Sequence, residues 1–217
     1  MIRKLLDYLG FSRNITKYPS QYSRILEIRK QKGKFILDSP NANYSYGSLY
    51  YAFDFAFQQI PFNDFQIKNI LVLGMGAGCV VELFEKYLKN SYFTIDAVEI
   101  DETVIQVAKK YFNIDRWKNL NVIHSDAKHF VEECTKKYDF IIVDLFIDLN
   151  IPEFLYENQF LQKLQNLVQK SGLLLINTLP KVQDNTILVK ELQKNGNLFI
   201  LHRYKNMNEM LYWQKDK

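Results

Sequence analysis

Apolar residues along the chain alternate between short unbroken runs and helical periods. The clearest run is Ile70-Leu71-Val72-Leu73, which ends in Gly74-Met75-Gly76-Ala77-Gly78. Four successive apolar residues, two of them branched at Cβ, predict a strand covered on both faces, as in a parallel sheet. Helical spacing follows through Val80, Val81, Leu83, Phe84, Tyr87 and Leu88. The glycines therefore fall in a tight strand-to-helix turn, where glycine accepts positive φ and lets a ligand approach bare backbone. The next helix points its N-terminal amides at whatever occupies that turn.

The same alternation continues from Gln66 onward. Strands are expected near Leu71, Ile95, Val122, Ile141, Leu174 and Phe199, and helices over 80–88, 102–112, 128–135, 152–169 and 185–194. Alternation of this kind predicts a parallel sheet with helices on both faces. The end differs: 198–204 and 210–214 read as strands joined by the short polar loop 205–209, which allows only an antiparallel pair. Ahead of this region, 5–11 reads as a short amphipathic helix. The runs 25–29 and 34–38 flank 30–33 as a β-hairpin with Gly33 in its turn. Tyr44, Tyr46, Tyr50 and Tyr51 lead into an aromatic helix through Phe57. This cluster has two readings, packing between hairpin and sheet or contact with a ligand. The expected division is 1–64 for the appendage and 65–217 for the main domain, with the joint at Pro61 to Asp64. The fold class is α/β, a doubly wound, mostly parallel, seven-stranded Rossmann-like sheet with an antiparallel C-terminal pair and a small N-terminal β-hairpin.

Composition narrows this little. The chain has 217 residues, 47% hydrophobic and 24% charged, ordinary values for a globular protein. The net charge of +4 comes from scattered lysines and signals no nucleic acid. Cys79 and Cys134 form no metal-ligand pattern, so no metal is expected and free thiols in a reducing cytoplasm are. No stretch is apolar long enough to span a membrane, and Asp7 interrupts a start too short for a signal peptide.

The chemistry gathers at strand ends, where a doubly wound sheet binds its ligand. Gly74, Gly76 and Gly78 follow the first strand. Glu99, in Ala97-Val98-Glu99-Ile100-Asp101, ends the second. Ser125-Asp126-Ala127 follows the third and Asp144 the fourth. The dinucleotide fingerprint has its third glycine one residue later, where this chain has Cys79. Three acids with no base among them do not suit a pyrophosphate. They suit a nucleoside whose ribose and amino groups donate hydrogen bonds and which carries a cationic centre. Against this, the glycines alone fit an ordinary βα turn, Asp126 fits a helix N-cap, and Asp144 fits a cap on the following loop.

These motifs resemble the spermidine synthase family, which has the class I S-adenosylmethionine-dependent methyltransferase fold. The matching pieces are 73–78, Val98-Glu99-Ile100-Asp101, His124-Ser125-Asp126-Ala127, Tyr138-Asp139 through Asp144, the hairpin, and 154–160. The resemblance implies that Glu99 holds the ribose, Asp126 and Ala127 meet the adenine, and Asp144 takes the proton of an attacking amine. It also marks Tyr46, Tyr50 and Asp148 as weaker substrate-binding candidates. The chain departs from the family pattern in places. Ala77 stands where the family has an aspartate for the amine of decarboxylated S-adenosylmethionine. Asp144-Leu145-Phe146-Ile147-Asp148 replaces Asp-Ser-Ser-Asp-Pro, and Tyr50-Tyr51-Ala52 replaces Tyr-His-Glu.

Three functions follow as expectations. The first is a transferase using S-adenosylmethionine itself, most simply for methyl transfer to an unknown small or macromolecular acceptor. The second is an aminopropyltransferase with a rebuilt pocket, using the decarboxylated cofactor. The third is a non-catalytic binding or assembly relative. A homodimer is left open.

Overall fold

A computed structural model describes residues 12–89, 91–202 and 208–216; the helix expected over 5–11 and most of the loop expected over 205–209 lie outside them. Two sheets organise the chain. The larger has the order β10-β11-β9-β8-β5-β6-β7. Its strands are β5 (Asn69–Leu73), β6 (Thr94–Glu99), β7 (Leu120–His124), β8 (Tyr138–Val143), β9 (Val168–Thr178), β10 (Gly196–His202) and β11 (Glu209–Lys215). β5 to β9 pair with one another in parallel, whereas β11 is antiparallel to both β9 and β10.

Period-two alternation explains why the strand runs are apolar throughout. Ile70 and Val72 of β5, with Phe140 and Ile142 of β8, enter a core that holds Phe53, Phe57, Phe84 and Val104. These last residues come from α1 (Gly47–Gln59), α2 (Cys79–Tyr87) and α3 (Glu102–Phe112). Leu71 and Leu73, with Ile141 and Val143, face the opposite way, against Val131, Leu161, Leu164, Leu188 and Leu192. That layer is α4 (Ala127–Glu133), α5 (Asn158–Leu167) and α6 (Thr186–Gln193). The sheet is therefore doubly wound. No helix among the described residues is long and apolar enough to cross a membrane.

One expectation is extended and another corrected. The N-terminal appendage is more than a hairpin: β1 (Arg13–Ser20), β2 (Arg24–Gln31), β3 (Lys34–Asp38) and β4 (Asn43–Ser45) form a four-stranded antiparallel sheet. β1 escapes a hydrophobic reading because its positions are exposed or half-buried. It is held by pairing with β2 and by Ser20 Oγ donating to Asp101 Oδ2 at 2.5 Å. The helix expected over 152–169 begins instead as a 3-10 turn, Glu153–Tyr156, and ends at Leu167, because 168–178 pairs with β8 as a strand.

Candidate functional site

A cavity of about 320 Å³ opens at the carboxyl ends of β5 to β9, with residues 41–44, Ser48 and Leu49 on its N-terminal side. It lies at the topological switch point, where β6 continues the sheet to one side of β5 and β8 to the other.

The glycine turn shapes its floor. Gly74 and Met75 both donate to Val98 O, at 2.9 and 3.1 Å, locking the turn onto β6. Gly74 has φ +86°, and a Cβ there would stand 2.1 Å from Asp144 O. Gly76 has φ +54°, with Tyr44 O only 2.7 Å from a Cβ position. Both glycines are thus required by the strand and loop packed against them. Gly78, expected at the site with them, does not line the cavity: it precedes α2 and abuts Trp117.

Glu99 is only 7% exposed, yet it reaches the cavity wall. Its Oε2 accepts from Gly76 N–H at 2.9 Å and its Oε1 from Asp101 N–H at 3.1 Å. Burial pushes its pKa up, and these backbone donors oppose the shift by favouring the charged form. Asp126 is both a helix cap and a cavity residue. It caps α4 by accepting from His129 N–H at 3.0 Å, and it lines the cavity beside the buried Ala127.

Asp144 follows β8 directly. Desolvation pushes its pKa up to about 7, Asn177 opposes this with a hydrogen bond of 2.8 Å, and the charge of Glu99 adds to the rise. A carboxylate at that value can take up and release a proton near neutrality.

The weaker candidates divide. Tyr46 stacks between Tyr50 and Phe112, with its hydroxyl donating to Glu82 Oε2 at 2.7 Å. Neither Tyr46 nor Tyr50 lines the cavity; both follow the packing alternative. Asp148 does line it, but its oxygens are engaged. Oδ1 accepts from Ser39 Oγ at 2.5 Å and Asn41 N–H at 3.0 Å, and Oδ2 from Asn41 Nδ2 at 2.5 Å. Tyr44 completes this clasp, its hydroxyl accepting from Asp148 N–H at 3.0 Å and donating to Phe146 O at 3.3 Å.

Tyr44, Asn177 and Asn208 were missed as site residues by sequence reasoning. Asn177 carries the same signal as the acids, since it ends the fifth strand's apolar run Leu173 to Ile176. Tyr44 carries only its membership of the tyrosine cluster.

A doubly wound sheet with this strand order, closed by the antiparallel β11, defines the class I methyltransferase fold. Within that class the Spermine/spermidine synthase domain matches residues 57–209, and the chain belongs to this family. The polyamine aminopropyltransferase of Vibrio vulnificus is 35% identical over 114 residues, covering 51% of this chain and 38% of the relative. The chain thus spans well under half the length of that curated relative. Human methyltransferase-like protein 13, solved in complex with SAH, superposes with a TM-score of 0.64 at 22% identity, covering 78% of this chain and 83% of that one. A spermidine synthase solved with the transition state analogue AdoDATO gives 0.72 at 16% identity, covering 94% of this chain and 74% of that one. At such identities the two structures speak to the fold.

Proposed function

We propose that the chain binds S-adenosylmethionine in this cavity and transfers its methyl group to an acceptor. The observation that carries the reading is Glu99, fixed between Gly76 and Asp101 at the tip of β6, with Asp126 and Asp144 on the neighbouring strand ends around one cavity. In this reading Glu99 accepts the ribose hydroxyls, Asp126 and Ala127 meet the adenine edge, and Asp144 faces the sulfonium end. Among the described residues the cavity is lined by four acids and no Lys, Arg or His, a charge balance that suits a cationic nucleoside. When bound, the cofactor supplies the electrophilic carbon. The protein orients it, excludes water and receives a proton at Asp144.

Aminopropyl transfer is the second reading, supported by family membership and by the Vibrio relative. Against it stands Ala77, which is fully buried, so the glycine turn offers no carboxylate to a decarboxylated cofactor's amine. Calorimetry with S-adenosylmethionine, its decarboxylated form and S-adenosylhomocysteine tests the site. Turnover yielding S-adenosylhomocysteine supports methyl transfer, whereas 5′-methylthioadenosine assigns aminopropyl transfer. An absence of heat with all three nucleosides at millimolar concentration overturns both readings.

A further inference from the structure

Three neighbouring strands each send one polar side chain to the cavity wall. Asp144 follows β8, Asn177 lies at the end of β9, and Asn208 immediately precedes β11. β9 runs between the other two strands, and its Asn177 links their side chains. Asn208 Nδ2 donates to Asn177 Oδ1 at 2.9 Å, and Asn177 Nδ2 donates to Asp144 Oδ1 at 2.8 Å. Asn177 is only 1% exposed, so water has little access to its amide.

A primary amide has a donor end and an acceptor end. An ionised carboxylate only accepts, so it demands the NH₂ end of Asn177. A protonated carboxyl donates, and it takes the oxygen end instead. Asn177 by itself meets either state by turning its amide over. Asn208 removes that freedom. While it donates to Oδ1, turning Asn177 over sets NH₂ against NH₂ on one side and oxygen against oxygen on the other. The reverse chain forms only if both amides turn and Asp144 holds a proton. Hydrogen bonds in series also polarise one another, so donation by Asn208 strengthens the bond that Asn177 gives to a charged acceptor.

The other groups around Asp144 do not favour its charge. Glu99 approaches from β6, and Asp126 and Asp148 line the same cavity. Cys79 of α2 is a thiol that burial keeps neutral, and the Tyr44 hydroxyl of β4 is engaged with Asp148 N–H and Phe146 O. Glu209 of β11 is outside the lining and accepts from Asn185. Among the described lining residues there is no Lys, Arg or His. The amide pair is thus the element of this wall that supports the ionised form.

We propose that Asn208 is a positioning residue, which acts through Asn177 to hold Asp144 ionised with its Oδ1 engaged. Its part in turnover rests on the proposed function above, whereas the lock is a property of the protein alone. A pKa of about 7 leaves the two protonation states of Asp144 close in energy near neutrality, so a contact one residue removed can tip them.

The test is a carboxyl carbon NMR titration of the full chain, isotope-labelled at aspartate. The Asp144 signal is identified by its absence in Asp144→Asn. Asn208→Leu keeps the size of the side chain and removes the donor at a half-buried position. The Asp144 midpoint is expected to rise by about half to one pH unit, the worth of one neutral hydrogen bond. Asn177→Leu is expected to raise it as well. Asn208→Leu added to that variant is expected to shift it no further, since the link is already cut. Asn208→Ala repeats the measurement with a smaller side chain should the leucine variant unfold. An unchanged midpoint on loss of the Asn208 amide overturns the proposal, for it means that Asn208 turns over freely with Asn177. An equal rise with and without Asn177 overturns it too, because Asn208 then reaches Asp144 by another route. These titrations need no nucleoside, so a chain that titrates as expected yet binds no S-adenosylmethionine strikes the proposed function alone.

Discussion

Asn177 Nδ2 donates to Asp144 Oδ1 at 2.8 Å and so ties the end of β9 to the end of β8 at the cavity wall. The amide fixes which way the carboxylate points. It compensates only part of the burial cost, because the pKa still sits at about 7.

This gives a pH prediction. The pKa of Asp144 is raised from about 4 in the unfolded chain to about 7 when folded. Between these values the folded state holds a proton that the unfolded state has released, so stability falls as pH rises through this window. The full penalty is present above pH 7. Asp144→Asn removes it while keeping an oxygen for Asn177. The variant is expected to melt several °C higher than wild type at pH 8, since a pKa rise of that size corresponds to roughly 4 kcal/mol at most, and to match wild type near pH 4. Transferase activity should rise in the wild type through pH 7 and be lost in the variant. Full activity in Asp144→Asn rules out the proton-accepting role.

Glu99 gives a second prediction, separable from folding. In Glu99→Gln the amide oxygen can keep one of the two backbone donors, and the other N–H faces an NH₂ group. The structural loss is about 1–3 kcal/mol, the cost of one unsatisfied buried donor. Losing the charged contact to the ribose should weaken nucleoside binding by roughly tenfold or more. Calorimetry with S-adenosylhomocysteine below the variant's melting temperature measures this, and unchanged affinity would remove Glu99 from the site.

How much of this was legible depends on where each signal lives. The strand at Ile70 to Leu73 declares itself because both of its faces are buried, so every position is apolar. Glu99 and Asp144 are legible because a polar residue ending such a run has one place to go, the carboxyl edge of the sheet, and Asp126 because it caps the helix that follows β7. Asp148 lines the cavity as expected, but the environment that holds it is made by Ser39 and Asn41, more than a hundred residues earlier, and no local pattern announces that clasp. Tyr44 and Tyr46 are two residues apart in the same aromatic stretch. Only the tertiary path of β4 into α1 sends Tyr44 to the cavity and Tyr46 to the core.

The clasp itself makes a third prediction. Burial raises the pKa of Asp148, and the hydrogen bonds from Asn41 and Ser39 more than offset this, leaving it below the usual carboxylate value. Its stabilising contribution is therefore present above pH 4 and is lost as pH falls through the lowered folded value. Asp148→Ala removes the acceptor of three hydrogen bonds that join the β3–β4 turn to the loop after β8. The expected cost is about 1–3 kcal/mol, with faster amide exchange at Asn41 and Ala42 measured by mass spectrometry. Unchanged exchange there would show that the clasp does not hold the N-terminal sheet over the cavity.

The last prediction concerns which cofactor is preferred. A decarboxylated cofactor ends in an ammonium group and needs an acid near the glycine turn. Ala77 supplies none, being fully buried in the core beside Cys79 and Val80. Glu82, the next acid along, already accepts from the Tyr46 hydroxyl at 2.7 Å and pairs with Arg116 at 3.5 Å. The turn instead leads into α2, a helix of nine residues beginning at Cys79. Its N-terminus does not line the cavity, and its dipole acts across the intervening turn to favour a carboxylate over an ammonium. S-adenosylmethionine is therefore expected to bind more tightly than its decarboxylated form, by roughly threefold to tenfold for one such interaction. Ala77→Asp should narrow or reverse the ratio, and it should also lower the melting temperature because the new carboxylate begins in an apolar environment. Competition binding with both cofactors, on wild type and on variant below its melting temperature, measures the ratio directly. A wild type that prefers the decarboxylated form would show that the amine finds its partner at Asp144 or Glu99, and would favour aminopropyl transfer.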